Sequence, residues 1–187
     1  MKERTMSESL QQRSIDLPEG VEVQADSGTV KVTGPKGSLS EDLSHLPVDI
    51  EVEKKRVLVT PRESTKRCIA KAGTAAAHVR NMIRGVTKGF TYKLKSVYAH
   101  FPVTVKVNEK EKKVMIENFT GEKTARVTKI IGDAKVKVSG EEILVQGTKL
   151  EDVSQTASNI EIGTKIKDKD QRVFLDGIYI YEKAEGM

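Results

Sequence analysis

The residues that could do chemistry are few and poorly placed for catalysis. Cys68 falls in phase with Ala72, Ala75, Ala76, Val79, Met82, Ile83 and Val86, so its thiol reads as a small buried hydrophobe. His45, His78 and His100 are scattered without ligand-like spacing, and a single cysteine builds neither a disulfide framework nor a cysteine-cluster zinc site. The chain has no phosphate-binding loop ending in Gly-Lys-Ser/Thr and no Gly-x-Ser-x-Gly elbow. Gly34-Pro35-Lys36-Gly37 is too short for the first and precedes no helix. The carboxylates alternate with lysines, as on a solvated sheet face. No catalytic residue, cofactor, metal or small-molecule substrate is expected.

Cations give a stronger signal. Arg80, Arg84 and Lys88 recur every four residues. Such a row is either a solvated face near a helix C-terminus, where the dipole favours cations, or a set of phosphate contacts. The 45 residues from Ser64 to Asn108 hold nine Lys or Arg and no Asp or Glu, which tilts the reading toward a polyanionic partner. A second candidate is Lys165, Lys167, Lys169 and Arg172, interleaved with Asp168 and Asp170. The turns Gly34–Gly37 and Gly121–Lys123 set glycine beside lysine, which allows close backbone approach to a phosphate and serves a plain turn equally well. Aromatic residues are 4% of the chain and form no stacking platform. Folded RNA held through shape and phosphate therefore fits better than a stacked single strand.

Positioning these residues requires a sheet and a helix, twice. Val21–Ala25 and Val30–Thr33 alternate around Asp26-Ser27-Gly28, a hairpin signal. Ser38–Leu43 reads as a short strand, and Ile50–Glu53 with Val57–Val59 as a second hairpin. The period then lengthens to three and four residues, giving an amphipathic helix from Ser64, as N-cap, to about Gly85–Gly89. The same order returns in Val103–Val107, Lys112–Ile116, Ala134–Val138, Ile143–Val145 and the stripe Leu150, Val153, Ala157 and Ile160. The offset is 82 residues for Val21 and Val103 and 86 for Val57 and Ile143, which marks a duplicated unit. Tyr92–Ala99 reads as a linking strand, and Gly177–Tyr181 as a closing one. The expected organisation is a polar lead-in over 1–17 and two domains, 18–91 and 92–187. The fold class is α+β, with two tandem similar domains, each a small antiparallel sheet packed against one helix.

Composition sets the outer limits. The chain has 187 residues, 37% hydrophobic and 32% charged, enough for one modest core or two thin ones and unlike a disordered chain. No apolar run approaches the roughly 20 residues of a membrane span, and Met1–Arg13 lacks the apolar core of a secretory signal. A cytoplasmic setting follows as the expectation. The net charge of +5 is local: residues 1–95 carry 17 cations against 12 acids, and the remainder 15 against 15.

Four stretches resemble a known family. They are Val32-Thr33-Gly34-Pro35-Lys36-Gly37; Gly73-Thr74 through Asn81-Met82-Ile83-Arg84-Gly85-Val86-Thr87-Lys88-Gly89-Phe90; Asn118-Phe119-Thr120-Gly121-Glu122-Lys123; and Arg172-Val173-Phe174-Leu175-Asp176-Gly177-Ile178-Tyr179. Together they resemble the universal large-subunit ribosomal protein six family, numbered nine in eukaryotes, in its archaeal form. The Tyr-Lys-Gly-Lys-Gly stretch and basic tail of the bacterial branch are missing, so bacterial contacts are not carried over. The resemblance implies two sheet-plus-helix domains and a structural role in the large subunit. It implies binding of ribosomal RNA near the stalk base and the factor-binding region, beside other large-subunit proteins. It places the RNA contacts in the C-terminal domain, at Lys165, Lys167, Lys169 and Arg172 with the loop carrying Asn118, Gly121 and Lys123. Charge distribution instead favours Arg80, Arg84 and Lys88, and both candidates stand. The alternative function is a free-standing RNA-binding module or translation regulator on the same duplicated fold.

Overall fold

The computed structural model describes residues 12–99, 101–167, 170 and 172–187. Candidate Lys169, His100 and the lead-in up to Gln11 lie outside them. The chain forms two compact units that divide between Thr87 and Lys88.

Among its described residues the first unit has six strands and one helix. They are β1 Arg13–Asp16, β2 Glu22–Asp26, β3 Thr29–Gly34, β4 Gly37–Asp42, β5 Val48–Val52, β6 Arg56–Pro61 and α1 Lys66–Thr87. The strands make two antiparallel three-stranded sheets, ordered β1-β6-β5 and β2-β3-β4. Ser27 and Gly28 both adopt positive φ, at 49° and 91°, which gives the β2–β3 turn the twist a tight hairpin needs. Val30, Val32, Val57 and Val59 point inward at alternate positions and meet Ala72, Ala75, Ala76, Val79 and Val86 of α1. The alanines let the 22-residue helix lie close on both sheets. Its N-cap is Thr65 rather than the expected Ser64: Cys68 N–H donates to Thr65 Oγ1 at 3.3 Å.

The second unit repeats this plan. Its elements are β7 Phe90–Val97, β8 Thr104–Asn108, β9 Lys113–Glu117, a 3-10 turn Phe119–Gly121, β10 Arg126–Lys129, β11 Lys135–Ser139, β12 Glu142–Gly147, α2 Leu150–Gly163 and β13 Gly177–Glu185. One sheet is ordered β10-β9-β8 and the other β11-β12-β7-β13. The duplication is topological: β2-β3-β4 matches β8-β9-β10, and β1-β6-β5 matches β7-β12-β11. Ile15 faces Val57 in the first unit as Leu94 faces Ile143 in the second. The α+β class holds, with the strands of each unit shared between two sheets rather than one.

Three details differ from the expected elements. β1 falls inside the polar lead-in; Ile15 is its one buried residue, too little to show a period. The strand expected as a link is the centre of the larger sheet, paired with β12 on one side and β13 on the other. β13 runs nine residues, with a register shift between Ile180 and Glu182 that carries Tyr181 out of the ladder.

Candidate nucleic-acid interface

The two candidate loops of the second unit start from opposite ends of its chain and are joined by one side chain. The first loop, 118–125, connects β9 to β10. Asn118, Thr120 and Gly121 all take positive φ, at 58°, 51° and 79°, so it turns in a space that extended backbone would not enter. Phe119 fills the core beneath it, 1% exposed. Asn118 Nδ2–H donates to Pro102 O at 3.0 Å. Gly121 lies under Phe101, whose ring carbons would stand 3.2–3.4 Å from a Cβ there. Lys123 is exposed and forms no ion pair with a described residue.

The second loop begins where α2 ends. Thr164 closes the helix, its N–H donating to Glu161 O at 3.2 Å, and Lys165 N–H donates to Ile162 O at 3.1 Å. Gly163 is required by proximity: β10 packs so near that the Thr128 methyl would stand 2.5 Å from a Cβ. Ile166 is buried while Lys165 and Lys167 on either side are exposed. Asp170 organises the next turn, accepting from the N–H of Arg172 through Oδ1 and from Val173 and Phe174 through its carbonyl, all within 3.1 Å. Arg172 is exposed. A groove of about 460 Å³ beside Lys165 is lined by Ile162, Ile166, Leu175 and Tyr179.

Arg126 is the residue that sequence reasoning missed. Its Nε–H donates to Glu122 Oε2 at 2.9 Å and an Nη2–H to Glu122 Oε1 at 2.5 Å. Nη1 donates to Gly163 O at 3.0 Å and to Lys165 O at 3.4 Å. The guanidinium plane rests over the Phe119 ring, 4.4 Å from its centroid. One cation thus holds the first loop, caps the C-terminus of α2 and anchors the start of the second loop. Hydrogen bonding to Glu122 raises the Arg126 pKa further above its already high value, so the clamp stays charged. The available signal was the Glu122-to-Arg126 spacing, which means proximity only on a helix; here it spans a loop and a strand.

Much of the C-terminal signature is committed to folding. Asp176 is buried, and its Oδ1 accepts from Ala99 N–H at 2.5 Å. Ile178 lies in the core, and its N–H donates to Thr164 Oγ1 at 3.0 Å. Ile180 N–H donates to Glu161 Oε1 at 3.2 Å. These bonds fix α2 to β13 and frame the loop between them.

The charge-based row runs off the end of α1. Arg80 and Arg84 are exposed one turn apart on α1. Lys88 follows the end of the helix, belongs to the second unit, and approaches Glu185 Oε2 at 3.5 Å. The Gly34-Pro35-Lys36-Gly37 turn is also engaged internally: Lys36 N–H donates to Val86 O at 2.9 Å. Cys68 is buried, as its phase implied. Among the described residues there is no cluster of metal-ligating side chains and no helix long and apolar enough to cross a membrane.

The sequence that builds this arrangement matches known proteins. The family described as Ribosomal protein L6 matches residues 17–89 and again 101–177, once in each unit. The large ribosomal subunit protein uL6 of Staphylothermus marinus is 51% identical over 173 residues, which is 91% of this chain and 94% of the relative. That of Desulfurococcus amylolyticus is 49% identical, covering 92% and 95%. That of Methanothrix thermoacetophila is 46% identical, covering 91% and 96%. With two family matches lying on two copies of one topology, the chain belongs to the ribosomal protein L6 family.

Proposed function

We propose that this chain is a structural constituent of the large ribosomal subunit, in the cytoplasm, whose second unit grips ribosomal RNA through the face that Arg126 assembles. The family is structural and non-enzymatic, and RNA binding is its general role. Its relatives bear the name of a large-subunit protein over nine-tenths of the chain. The observation that carries the residue-level reading is the Arg126 clamp, which brings Lys123, Lys165 and Lys167 onto two loops of one scaffold. Arg172 follows in the second loop, and Lys169 belongs to the same candidate set. Asn118 and Gly121 shape the first loop, and the Asn118 amide already serves Pro102.

Lysine and arginine at such a face meet phosphate and sugar, so they brace a folded RNA with little reading of sequence. Arg80 and Arg84 offer a further basic surface on the first unit, with Lys88 just past the end of the helix that bears them. The location completing this proposal is the base of the stalk, near the factor-binding region, with other large-subunit proteins as neighbours.

Sucrose-gradient sedimentation of native lysate at low and high salt tests the role. The expected result is co-migration with the large subunit at about one copy per particle, surviving a high-salt wash. Migration at the top of the gradient would overturn it in favour of a free-standing RNA-binding regulator.

A further inference from the structure

We propose that Arg126 is a positioning residue: it locks the 118–123 loop and the 163–167 segment into one rigid RNA-contacting face and masks the Glu122 carboxylate from that RNA. The inference rests on the reading that Lys123 and Lys165 contact ribosomal RNA. A guanidinium has five N–H donors, and here four are spent inside the protein, on two carboxylate oxygens and two carbonyl oxygens. Its charge is matched by Glu122, and its side chain is 27% exposed. Little of Arg126 remains for a phosphate, so it acts through the loops it holds.

The first loop needs an external hold. Asn118 and Thr120 keep left-handed backbone at φ 58° and 51°, a region side chains with a Cβ occupy at a cost. Released from Arg126, the loop has an energetic reason to relax. The fork matters as much as the charge, because a lysine ammonium cannot bridge two carboxylate oxygens and two carbonyls from one plane. Masking matters because Glu122 precedes Lys123 directly. A bare carboxylate there would oppose the phosphate that Lys123 attracts.

The test is a double-mutant cycle. Full-length protein rebinds large subunits depleted of it, and affinity is measured for Lys123→Ala, Lys165→Ala and the pair. Each is made in the native, Arg126→Lys, Arg126→Met and Arg126→Met/Glu122→Gln backgrounds. In the native background the two lysines should be coupled by about threefold or more, since Arg126 ties both of their segments into one hydrogen-bond network. In all three Arg126 backgrounds the coupling should vanish, and Glu122→Gln should recover part of the affinity lost in Arg126→Met without restoring coupling. General destabilisation lowers the folded fraction equally in every corner of a cycle and leaves coupling unchanged. Arg126→Lys carries the test alone if Arg126→Met does not fold. Undiminished coupling in the Arg126 variants overturns the positioning claim while the interface stands. Lysine variants without effect in the native background overturn the interface reading and this inference with it. No recovery from Glu122→Gln overturns the masking claim.

Discussion

The backbone N–H of Lys36 donates to the carbonyl of Val86 at 2.9 Å, so the turn between β3 and β4 caps the last turn of α1. A glycine–lysine turn that could have cradled a phosphate is engaged in closing a helix. The closeness of that contact makes any side chain at position 34 costly, because a Cβ there would lie 2.6 Å from Val86 Cγ2. Gly34→Ala should destabilise the first unit by about 1–3 kcal/mol, the usual cost of forcing extra atoms into a packed site. Urea unfolding reads this directly, and an unchanged midpoint would contradict the packing described.

Thr164 stands at the junction of α2, the second loop and β13. It is buried, and its Oγ1 accepts from Ile178 N–H at 3.0 Å. Thr164→Val keeps the volume and leaves that N–H unsatisfied. The expected loss is about 1–3 kcal/mol, with faster hydrogen exchange at the Ile178 amide. Protection equal to the native protein would show that the bond holds nothing in place.

Arg80 and Arg84 flank the buried stripe of α1 and are exposed. Reversing both to Glu should leave thermal stability within about 0.5 kcal/mol, the usual range for surface changes. If the proposed basic surface of α1 meets RNA, incorporation into the large subunit should nonetheless weaken, because a carboxylate repels the phosphate that a guanidinium attracts. Normal incorporation of the folded double variant would remove the helix from the RNA interface.

Asp42, at the end of β4, bonds to Ser44 through the serine hydroxyl and through the backbone N–H, the latter at 2.9 Å. These bonds hold its carboxyl pKa below the ordinary carboxylate value. A lowered folded pKa means stability that is present above the unfolded pKa and lost as pH falls through the folded one. The stability gap between native protein and Asp42→Asn should therefore stay constant above about pH 5 and shrink on acidification below about pH 4. A gap that widens in acid would reverse the sign of this account.

The duplicated α+β plan was legible because both units use the same two periods. Valines alternate at Val30, Val32, Val57 and Val59, and α1 repeats alanines at helical spacing. β1 escaped because one buried residue, Ile15, makes no period. The second half of β13 escaped because Glu182, Lys183 and Glu185 read as a solvated tail, while its pairing partners on β7 lie some ninety residues away. The candidate face was half legible. Lys123, Lys165 and Lys167 stand out as exposed cations on two loops, whereas Arg126 looks like one more strand residue until Glu122 and Gly163 are seen around it. The basic row outruns its helix: α1 ends at Thr87, one residue before the third member of the row.

The central claim is that Lys165, Lys167 and Arg172 meet RNA phosphates inside the large subunit. The most direct measurement is the salt dependence of rebinding to depleted large subunits, for the native chain and for the triple alanine variant. Each lost phosphate contact should flatten the log–log slope by up to roughly 0.7–0.9. The account predicts a markedly shallower slope with weaker binding and an unchanged melting temperature. A slope identical to that of the native chain would place these three residues outside the RNA interface and contradict it.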